Sequence, residues 1–389
     1  MVTPIALAAL AILQLLLLIP LVRSFGRVVG QRRIPLSLAA SPSSISVIVP
    51  VLNEEARLGP MLRALLADAR NVPEIVDILV VDGGSGDGTE AIVTAFMAHE
   101  RRLAFVDVSP VPAEAVGKAW GLLQGAARAR GDWLLTLDAD TIVAPGLARS
   151  LASFAFLEHL DALSVATRQA CPGGFLSLLH PAFLTTLVYR FGPPGYATDD
   201  PRRVMANGQC FFASKSALEA SKALPAALAS LCEDITIART LAGAGHAVGF
   251  YESEVPVEVQ MYGSGREVWA NWPRSLVMRD QHAGWRAGVS LAQVLLLQAA
   301  PLPLLVAALL LGLPAWFTLL QAVLLAFRLG VLFGVRPAYT RVGPGYWLSP
   351  LMDVPVALRL LHAQFQRRLA WRGRIYARGR DGRIRAVEE

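Results

Sequence analysis

LTLDADT, residues 135–141, is an apolar run that stops on two aspartates separated by Ala139 alone. A chain in which 54% of residues are hydrophobic thus ends a buried-looking strand with Asp138 and Asp140. If strand pairing continues through them, the two-residue period puts both carboxylates on one face, about 6 to 7 Å apart at the backbone. At that distance they repel by roughly 2.5 kcal/mol at an effective dielectric of 20, so an opposite charge has to offset them. A hard divalent cation, held by one or two carboxylates and completed by phosphate oxygens and water, does this. The expectation is Mg²⁺ or Mn²⁺ on Asp138 and Asp140, with the ion in turn holding a diphosphate.

The surrounding pattern sets the fold class. ISVIVPV (45–51), IVDILVVD (75–82), LAFVDV (103–108), WLLTLD (133–138) and ALSVAT (162–167) are continuous apolar runs, separated by amphipathic stretches such as RLGPMLRALLADA and GTEAIVTAFMAHE. Strands buried on both faces and alternating with helices predict an α/β domain with a mostly parallel sheet. In open α/β sheets ligands collect at the carboxyl ends of the strands. The first strand runs into Asn53-Glu54-Glu55, the second ends on Asp82 and the fourth on the Asp138/Asp140 pair. Three acidic strand ends at one sheet edge point to a site for a cation or for several hydroxyls.

Composition adds a membrane. A mean hydropathy of +0.46 with 17% charged residues lies outside the usual range of soluble globular chains. Residues 5–22 carry no charge, and Arg23, Arg27, Arg32 and Arg33 follow them, which predicts an uncleaved anchor that leads into the cytoplasm. A second apolar block, 289–335, broken near Pro314, reads as two spans. Residues 346–363 are apolar too, but Pro350, Asp353, Pro355 and Arg359 make a crossing costly, so an interfacial or re-entrant segment is expected. The predicted organisation is a transmembrane anchor over 1–24, a linker over 25–44, a catalytic domain over 45–260, an interfacial amphipathic segment over 261–288, two transmembrane helices over 289–335, and an interfacial segment with a basic cytoplasmic tail over 336–389. The net charge of +6 flanks the apolar segments instead of forming one soluble patch, which favours anionic lipid headgroups over nucleic acid. Cys171, Cys210 and Cys232 form no CxxC and are read as packing residues.

The ordered set VIVPVLNEE, VVDGGSGDGT, GKAWGLLQGAARARGDWLLTLDADT, ANGQCFFAS and CEDITIARTLAGAG resembles the family 2 glycosyltransferases, whose nucleotide-sugar-binding domain has the GT-A fold. The membrane anchors and the closing WRGRIY look like the branch that glycosylates lipids of carotenoid, hopanoid or sphingolipid (ceramide) type. The resemblance implies that Glu54 and Asp82 contact a uridine and that Lys118 lies close to the nucleotide. It also implies that Asp138 and Asp140 bind metal and diphosphate, and that Asp234 is the general base of an inverting transfer. Three departures stand out: Asp82 is followed by Gly83 instead of a second aspartate, Leu123-Gln124 replaces the asparagine often found after GKA, and the QxxRW signature of processive members is not intact. Gln260, Arg266 and Trp269 keep only its Arg-to-Trp part, which favours single-sugar transfer.

Structural readings stand beside these. Asp87 with Glu90 forms a capping box, Glu55 suits the first turn of a helix, and His246 enters an apolar run as a structural histidine. Asp138 and Asp140 also fit a solvated turn, and Asp234 a helix N-terminus. Trp269, Trp272, Trp285, Arg266, Arg274, Arg279 and Arg286 read as an interfacial anchor, with Arg266 also suited to neutralising a departing diphosphate. The expected protein is therefore an integral protein of the cell (inner) membrane with its catalytic domain in the cytoplasm. It moves one sugar from a nucleotide-diphosphate donor, taken to be a UDP-sugar, onto a lipid hydroxyl. A processive polysaccharide synthase, a polyprenyl-phosphate glycosyltransferase and a non-catalytic nucleotide-sugar-binding membrane protein are the alternatives; no nucleic-acid partner is expected.

Overall fold

The structure is a computed structural model that describes residues 4–30, 32–39, 43–171, 173–277, 284–371, 374–379 and 383–387. Arg279, one of the arginines assigned to the interfacial anchor, and Arg372 and Gly373 of the WRGRIY stretch lie outside the described residues. The chain divides into two units, one made of Gln31–Gln169, Pro194–Met261 and Arg367–Glu389, the other of Met1–Gly30, Ala170–Pro193 and Tyr262–Gln366.

The first unit is built on β1 (Ile45–Val51), β2 (Ile75–Asp82), β3 (Leu103–Asp107), β4 (Trp133–Leu137), β5 (Thr141–Val143), β6 (Ala162–Ala166), β7 (Arg168–Gln169), β8 (Tyr196–Thr198), β9 (Cys210–Ser214), β10 (Val248–Glu252) and β11 (Val257–Val259). Eight of these form one sheet in the order β3-β2-β1-β4-β9-β6-β10-β8. Pairing is parallel from β3 through β4 and between β6 and β10, while β9 runs antiparallel to both neighbours and β8 to β10. The five apolar runs of the sequence become β1, β2, β3, β4 and β6, as expected for a mainly parallel α/β sheet.

Side chains sort by the two-residue period of a strand. Val47, Val49, Ile78, Val80, Leu135 and Leu137 join one core with Leu58, Leu62 and Leu65 of the helix Glu55–Ala69. Ile48, Leu79, Val81 and Leu134 join the other with Leu122 and Ala126 of the helix Gly117–Arg128. That second helix comes close to the sheet, because a Cβ on Gly125 would stand 2.7 Å from Ile48 Cγ2. Free Cys210 and Cys232 are buried, as packing residues should be.

Two small sheets complete the unit. β11 pairs with β5 and β7. Residues assigned by charge to a tail form β12 (Arg368–Trp371), β13 (Arg374–Arg378) and β14 (Ile384–Val387), an antiparallel meander.

The other unit is helical. Pro4–Val28 and Ala315–Ala338 are long and apolar enough to cross a membrane. Trp285–Ala299 and Pro301–Leu310 meet at a 47° bend and together add a third candidate span. A π-turn over Val294–Ala299 runs into Pro301, which has no N–H to continue the ladder, and this accounts for the bend. The helix Gly174–Phe191 also belongs here, although the sequence reading ran a catalytic domain unbroken through 45–260. Trp272, read as part of an interfacial anchor, is buried against His180 with ring centroids 4.4 Å apart, whereas Trp285 is exposed beneath Arg286.

Several buried polar side chains inside this unit pair with one another. Gln14 and Gln321 exchange amide hydrogen bonds at 3.2 and 2.8 Å. Arg328, fully buried on the last apolar helix, donates from Nε and Nη2 to Asp353 at 2.8 and 2.9 Å, and Gln298 donates to the same carboxylate at 2.8 Å. Asp353 therefore sits buried without a bare charge, and the 13-residue helix that it starts, Asp353–Phe365, is too short to span. Removing one member of a buried pair strands the other, at a cost of about 3 to 5 kcal/mol. Arg328→Met should accordingly lower the thermal midpoint in detergent sharply, while Arg328→Met combined with Asp353→Leu should restore most of it. Equal midpoints for the single and double variants would refute the pairing.

Candidate active site

The site forms where β1, β2 and β4 end. β4 stops at Leu137, and Asp138-Ala139-Asp140 is a turn, not a strand extension as the two-residue argument required. The turn is closed by Thr141, whose N–H and Oγ1 donate to the Asp138 carbonyl at 3.1 and 2.7 Å. The turn still brings the carboxylates together, since Asp138 is among the charges acting on Asp140.

Lys118 organises the acids. Its Nζ lies 2.6 Å from Asp138 Oδ1 and 2.7 Å from Glu233 Oε1. Burial disfavours the ammonium, but Asp138, Glu233 and Asp234 outweigh it and hold Lys118 above the usual lysine range. Glu233 is buried, and the sequence reading passed over it in favour of Asp234. A lysine just inside one helix start and adjacent acids at another was the available signal, but which acid it meets depends on tertiary contact.

Asp234 accepts from the Gly208 N–H at 2.7 Å through Oδ2 and from the Ile235 N–H at 2.8 Å through Oδ1. Burial, then the neighbouring Glu233 charge, push its carboxyl up to about 7, against the opposing pull of Lys118 and the two amides. Gly208 leaves room for the ion pair: a Cβ there would stand 2.9 Å from Lys118 Nζ and 3.0 Å from Glu233 Oε1. Beside it lies a largely apolar cavity of about 20 Å³, bordered by Ile48, Leu122, Thr136 and Ile237 as well as the two acids.

Asp140 is pushed up to about 6, by burial first and then by Asp138 and Glu54. Its buried Oδ1 has no hydrogen-bond partner. Glu54 is buried and pairs with Arg57 at 3.7 Å. Five carboxylates, Glu54, Asp138, Asp140, Glu233 and Asp234, thus share Lys118 and Arg57 as their cations. An orphaned carboxylate oxygen in an acid-rich setting fits a divalent cation. Among the described residues no group of three or more His, Cys, Asp or Glu side chains converges on one point, so Asp138 and Asp140 would need phosphate oxygens and water to complete a coordination shell.

Asp82 is buried at the end of β2. Its carboxylate accepts from the N–H groups of Gly84 and Ser85 at 3.0 and 2.8 Å and from the Ser85 hydroxyl, which shapes the turn after β2. Asn53, missed in the sequence, sits at φ +56°, a conformation that asparagine tolerates better than most residues, and its Oδ1 accepts from Gly86 N–H at 2.9 Å. Asp87 and Glu55 cross-link the same two loops: Glu55 N–H donates to Asp87, and Gly88 N–H donates to Glu55. Glu55 lies in the first turn of its helix as read, whereas Gly88 and not Asp87 holds the N-cap of the helix Thr89–Met97, and Asp87 accepts from the Thr89 N–H at 3.0 Å instead of forming a box with Glu90. His246 pairs with Asp161 at 3.2 Å, away from the acids named above. Arg266 belongs to the helical unit, exposed on the first turn of the helix Gly265–Leu276. A further polar knot, Thr167, Asn207 and Gln209, supports the turn, because the Gln209 carbonyl accepts from Asp138 N–H at 3.3 Å.

Comparison with known proteins agrees with this fold. The "Undecaprenyl-phosphate 4-deoxy-4-formamido-L-arabinose transferase" of Pseudomonas paraeruginosa is 38% identical over 96 residues, 25% of this chain and 27% of that protein. The protein of the same name from Aeromonas hydrophila is 30% identical over 100 residues, 25% of this chain and 28% of its own. The match therefore spans about a quarter of the length of these relatives. A mannosyltransferase from Pyrobaculum calidifontis, solved with GDP-mannose and Mn²⁺, superposes with a TM-score of 0.52 at 18% identity, covering 91% of this chain and 99% of that one. The model of the family "Glycosyl transferase family 2" matches residues 46–221. With its mainly parallel sheet and acidic strand ends, the chain shares the GT-A fold, and residues 46–221 are similar to the family 2 glycosyltransferases.

Proposed function

We propose that the protein is a membrane-bound, inverting glycosyltransferase that moves a single sugar from a nucleotide-diphosphate donor, a UDP-sugar, to a lipid hydroxyl at the cytoplasmic face. The observation that carries this reading is the Lys118 ammonium bridging Asp138 and Glu233 beside Asp234, an acid whose carboxyl is pushed up to about 7.

In this reading Glu54 and the Asp82 turn receive the nucleoside, and Lys118 presents a positive charge to the diphosphate. Asp138 and Asp140 would hold Mg²⁺ or Mn²⁺, which supplies charge neutralisation for the leaving nucleoside diphosphate. Arg266, with a guanidinium matched to phosphate oxygens, is assigned to the same leaving group. Asp234 accepts the proton of the acceptor hydroxyl as that oxygen attacks the anomeric carbon from the side opposite the diphosphate, and the configuration inverts. The Gly208 and Ile235 amides fix the orientation of that carboxylate. A base whose pKa lies near the working pH combines a large ionised fraction with useful proton affinity. The arginines after the first span and the mean hydropathy support a membrane location with the catalytic domain in the cytoplasm.

One specific observation favours a second acceptor. The relatives matched over about a quarter of this chain are named for undecaprenyl phosphate, and a phosphate oxygen is already an anion that needs no base. Replacing Asp234 with Asn separates the two readings. With a lipid hydroxyl, turnover should fall by about 10² to 10⁴ while donor binding, followed by calorimetry, is retained. Unchanged turnover with a polyprenyl phosphate would assign that acceptor instead.

The pH profile is a further check. Asp234 acts in its ionised form, so kcat/KM should be lost as pH falls through about 7 and should level off above it. An acid limb in the ordinary carboxylate range would remove Asp234 from the role of base. Chelation with EDTA, or Asp140→Asn, should abolish cation-assisted binding of the nucleotide in calorimetry, and undiminished binding would dismiss the metal.

A further inference from the structure

The arginine-rich C-terminus folds onto the part of the catalytic unit that carries Lys118 and Asp234. In the meander Leu369 stands opposite Tyr376, and Tyr376 opposite Ala386. Leu369, Tyr376 and Ile384 are buried at 5%, 2% and 4% exposure, in one cluster with Val116 and Ala119, and Leu228, Leu231 and Ala386 pack against it. Backbone bonds fasten the contact at two points: Ile384 N–H donates to Ala229 O at 3.0 Å, and Ala386 N–H donates to Ala113 O at 2.8 Å. The two segments so gripped are also joined to each other, by Val116 N–H donating to Leu228 O at 2.7 Å.

These segments lead directly into the site. Val116 and Ala119 flank Lys118 at the start of the helix Gly117–Arg128, while Leu228 and Leu231 lead into Glu233 and Asp234 at the start of the helix Glu233–Gly243. Neither helix start has a capping side chain of its own: the N-cap positions are Val116 and Cys232, and neither makes a side-chain cap bond. A first turn without an N-cap bond relies on other contacts, as where Asp234 Oδ1 accepts from the Ile235 N–H at 2.8 Å. The meander adds an outside contact to both turns, which stand at the separation at which Lys118 bridges Asp138 and Glu233.

We propose that the C-terminal meander, with Tyr376 at its centre, is a positioning element that fixes Lys118, Glu233 and Asp234 for catalysis. The proposal rests on the donor-binding and base roles assigned above to Lys118 and Asp234. Tyr376 acts through the two helix starts, as part of one apolar cluster that holds Val116 and Ala119 of one and has Leu228 and Leu231, before the other, packed against it. A displacement of these starts by about 1 Å is enough to cost on the order of 10²-fold in rate.

The test compares the full chain with Tyr376→Ala, Tyr376→Phe and the milder Ile384→Ala, in detergent. Steady-state kinetics with a nucleotide sugar and acceptor lipid are combined with amide hydrogen exchange. Tyr376→Ala should lose on the order of 10²-fold in kcat/KM, through both a raised donor KM and a lowered kcat per nucleotide-binding molecule. Tyr376→Phe, which keeps the ring, should retain wild-type values. Amide exchange should quicken over 113–119 and 228–234 in Tyr376→Ala and stay unchanged in β1 and β2. If Tyr376→Ala does not fold, Ile384→Ala carries the same expectations at smaller size. Wild-type kcat and KM in a folded Tyr376→Ala or Ile384→Ala, or an equal loss in Tyr376→Phe, would overturn the proposal. Wild-type protein that binds and turns over no nucleotide sugar would sink the functional reading instead, and the local exchange pattern would then support or overturn the hold on the two helix starts.

Discussion

One ammonium group makes this sheet edge possible. Lys118 sits 2.6 and 2.7 Å from two carboxylates in a largely buried place, with Asp234 acting on it as a third. At such distances each contact is worth about 6 kcal/mol of gross attraction at an effective dielectric of 20, against a desolvation cost of several kcal/mol per ion. Without that charge, Asp138, Glu233 and Asp234 would repel one another in a setting that disfavours each. With it, the remaining excess of negative charge is displaced toward Asp140, which has a buried oxygen without a partner. The unfulfilled part of the cluster is therefore the part suited to a divalent ion and a diphosphate, and the fulfilled part is the one that holds the acid beside it.

The same crowding gives Asp234 its chemistry. Burial and Glu233 raise its proton affinity, while Lys118 and two backbone amides restrain the rise. A carboxylate left in water would be too weak a base for a hydroxyl, and one buried with no restraining donors would stay protonated. Gly208 sits where these demands meet. Its N–H orients Asp234, and its missing side chain leaves the space in which Lys118 and Glu233 meet. The apolar cavity beside it keeps the surroundings poor in polar partners, which sustains the shift.

Much of this was legible from the chain. The five continuous apolar runs announce strands because burial on both faces removes the polar alternation of a half-exposed sheet, and β1, β2, β3, β4 and β6 appear where they do. The acids at strand ends were legible for the same reason, since Asp77 and Asp107 are the only other charges in those runs. What was hidden depends on tertiary contact. The Asp138–Asp140 segment curls into a turn closed by Thr141, which no periodicity reveals. Glu233 and Asp234 look alike in sequence, and only the position of Lys118 distinguishes their roles. The bonds by which Asp82 shapes the turn that follows it were likewise not legible in the sequence. The meander was concealed by its own composition: among the described residues one buried side chain in each strand, Leu369, Tyr376 and Ile384, is too weak a pattern beside so many arginines.

The helical unit obeys the complementary rule. In apolar surroundings a polar side chain has few places to find a partner, so each one fixes a register. The reciprocal Gln14–Gln321 amide pair sets the first span against the last apolar helix, and Gln14 also donates to the Leu296 carbonyl within the π-turn, at 2.9 Å. Arg328 reaches Asp353 through two parallel bonds, a geometry that a lysine could not reproduce. A sequence survey counts Asp353 as a charge that a membrane would reject. Paired, it becomes the point to which the helix Asp353–Phe365 is tied, and the cost of burying it turns into a preference for one arrangement of the helices in this unit.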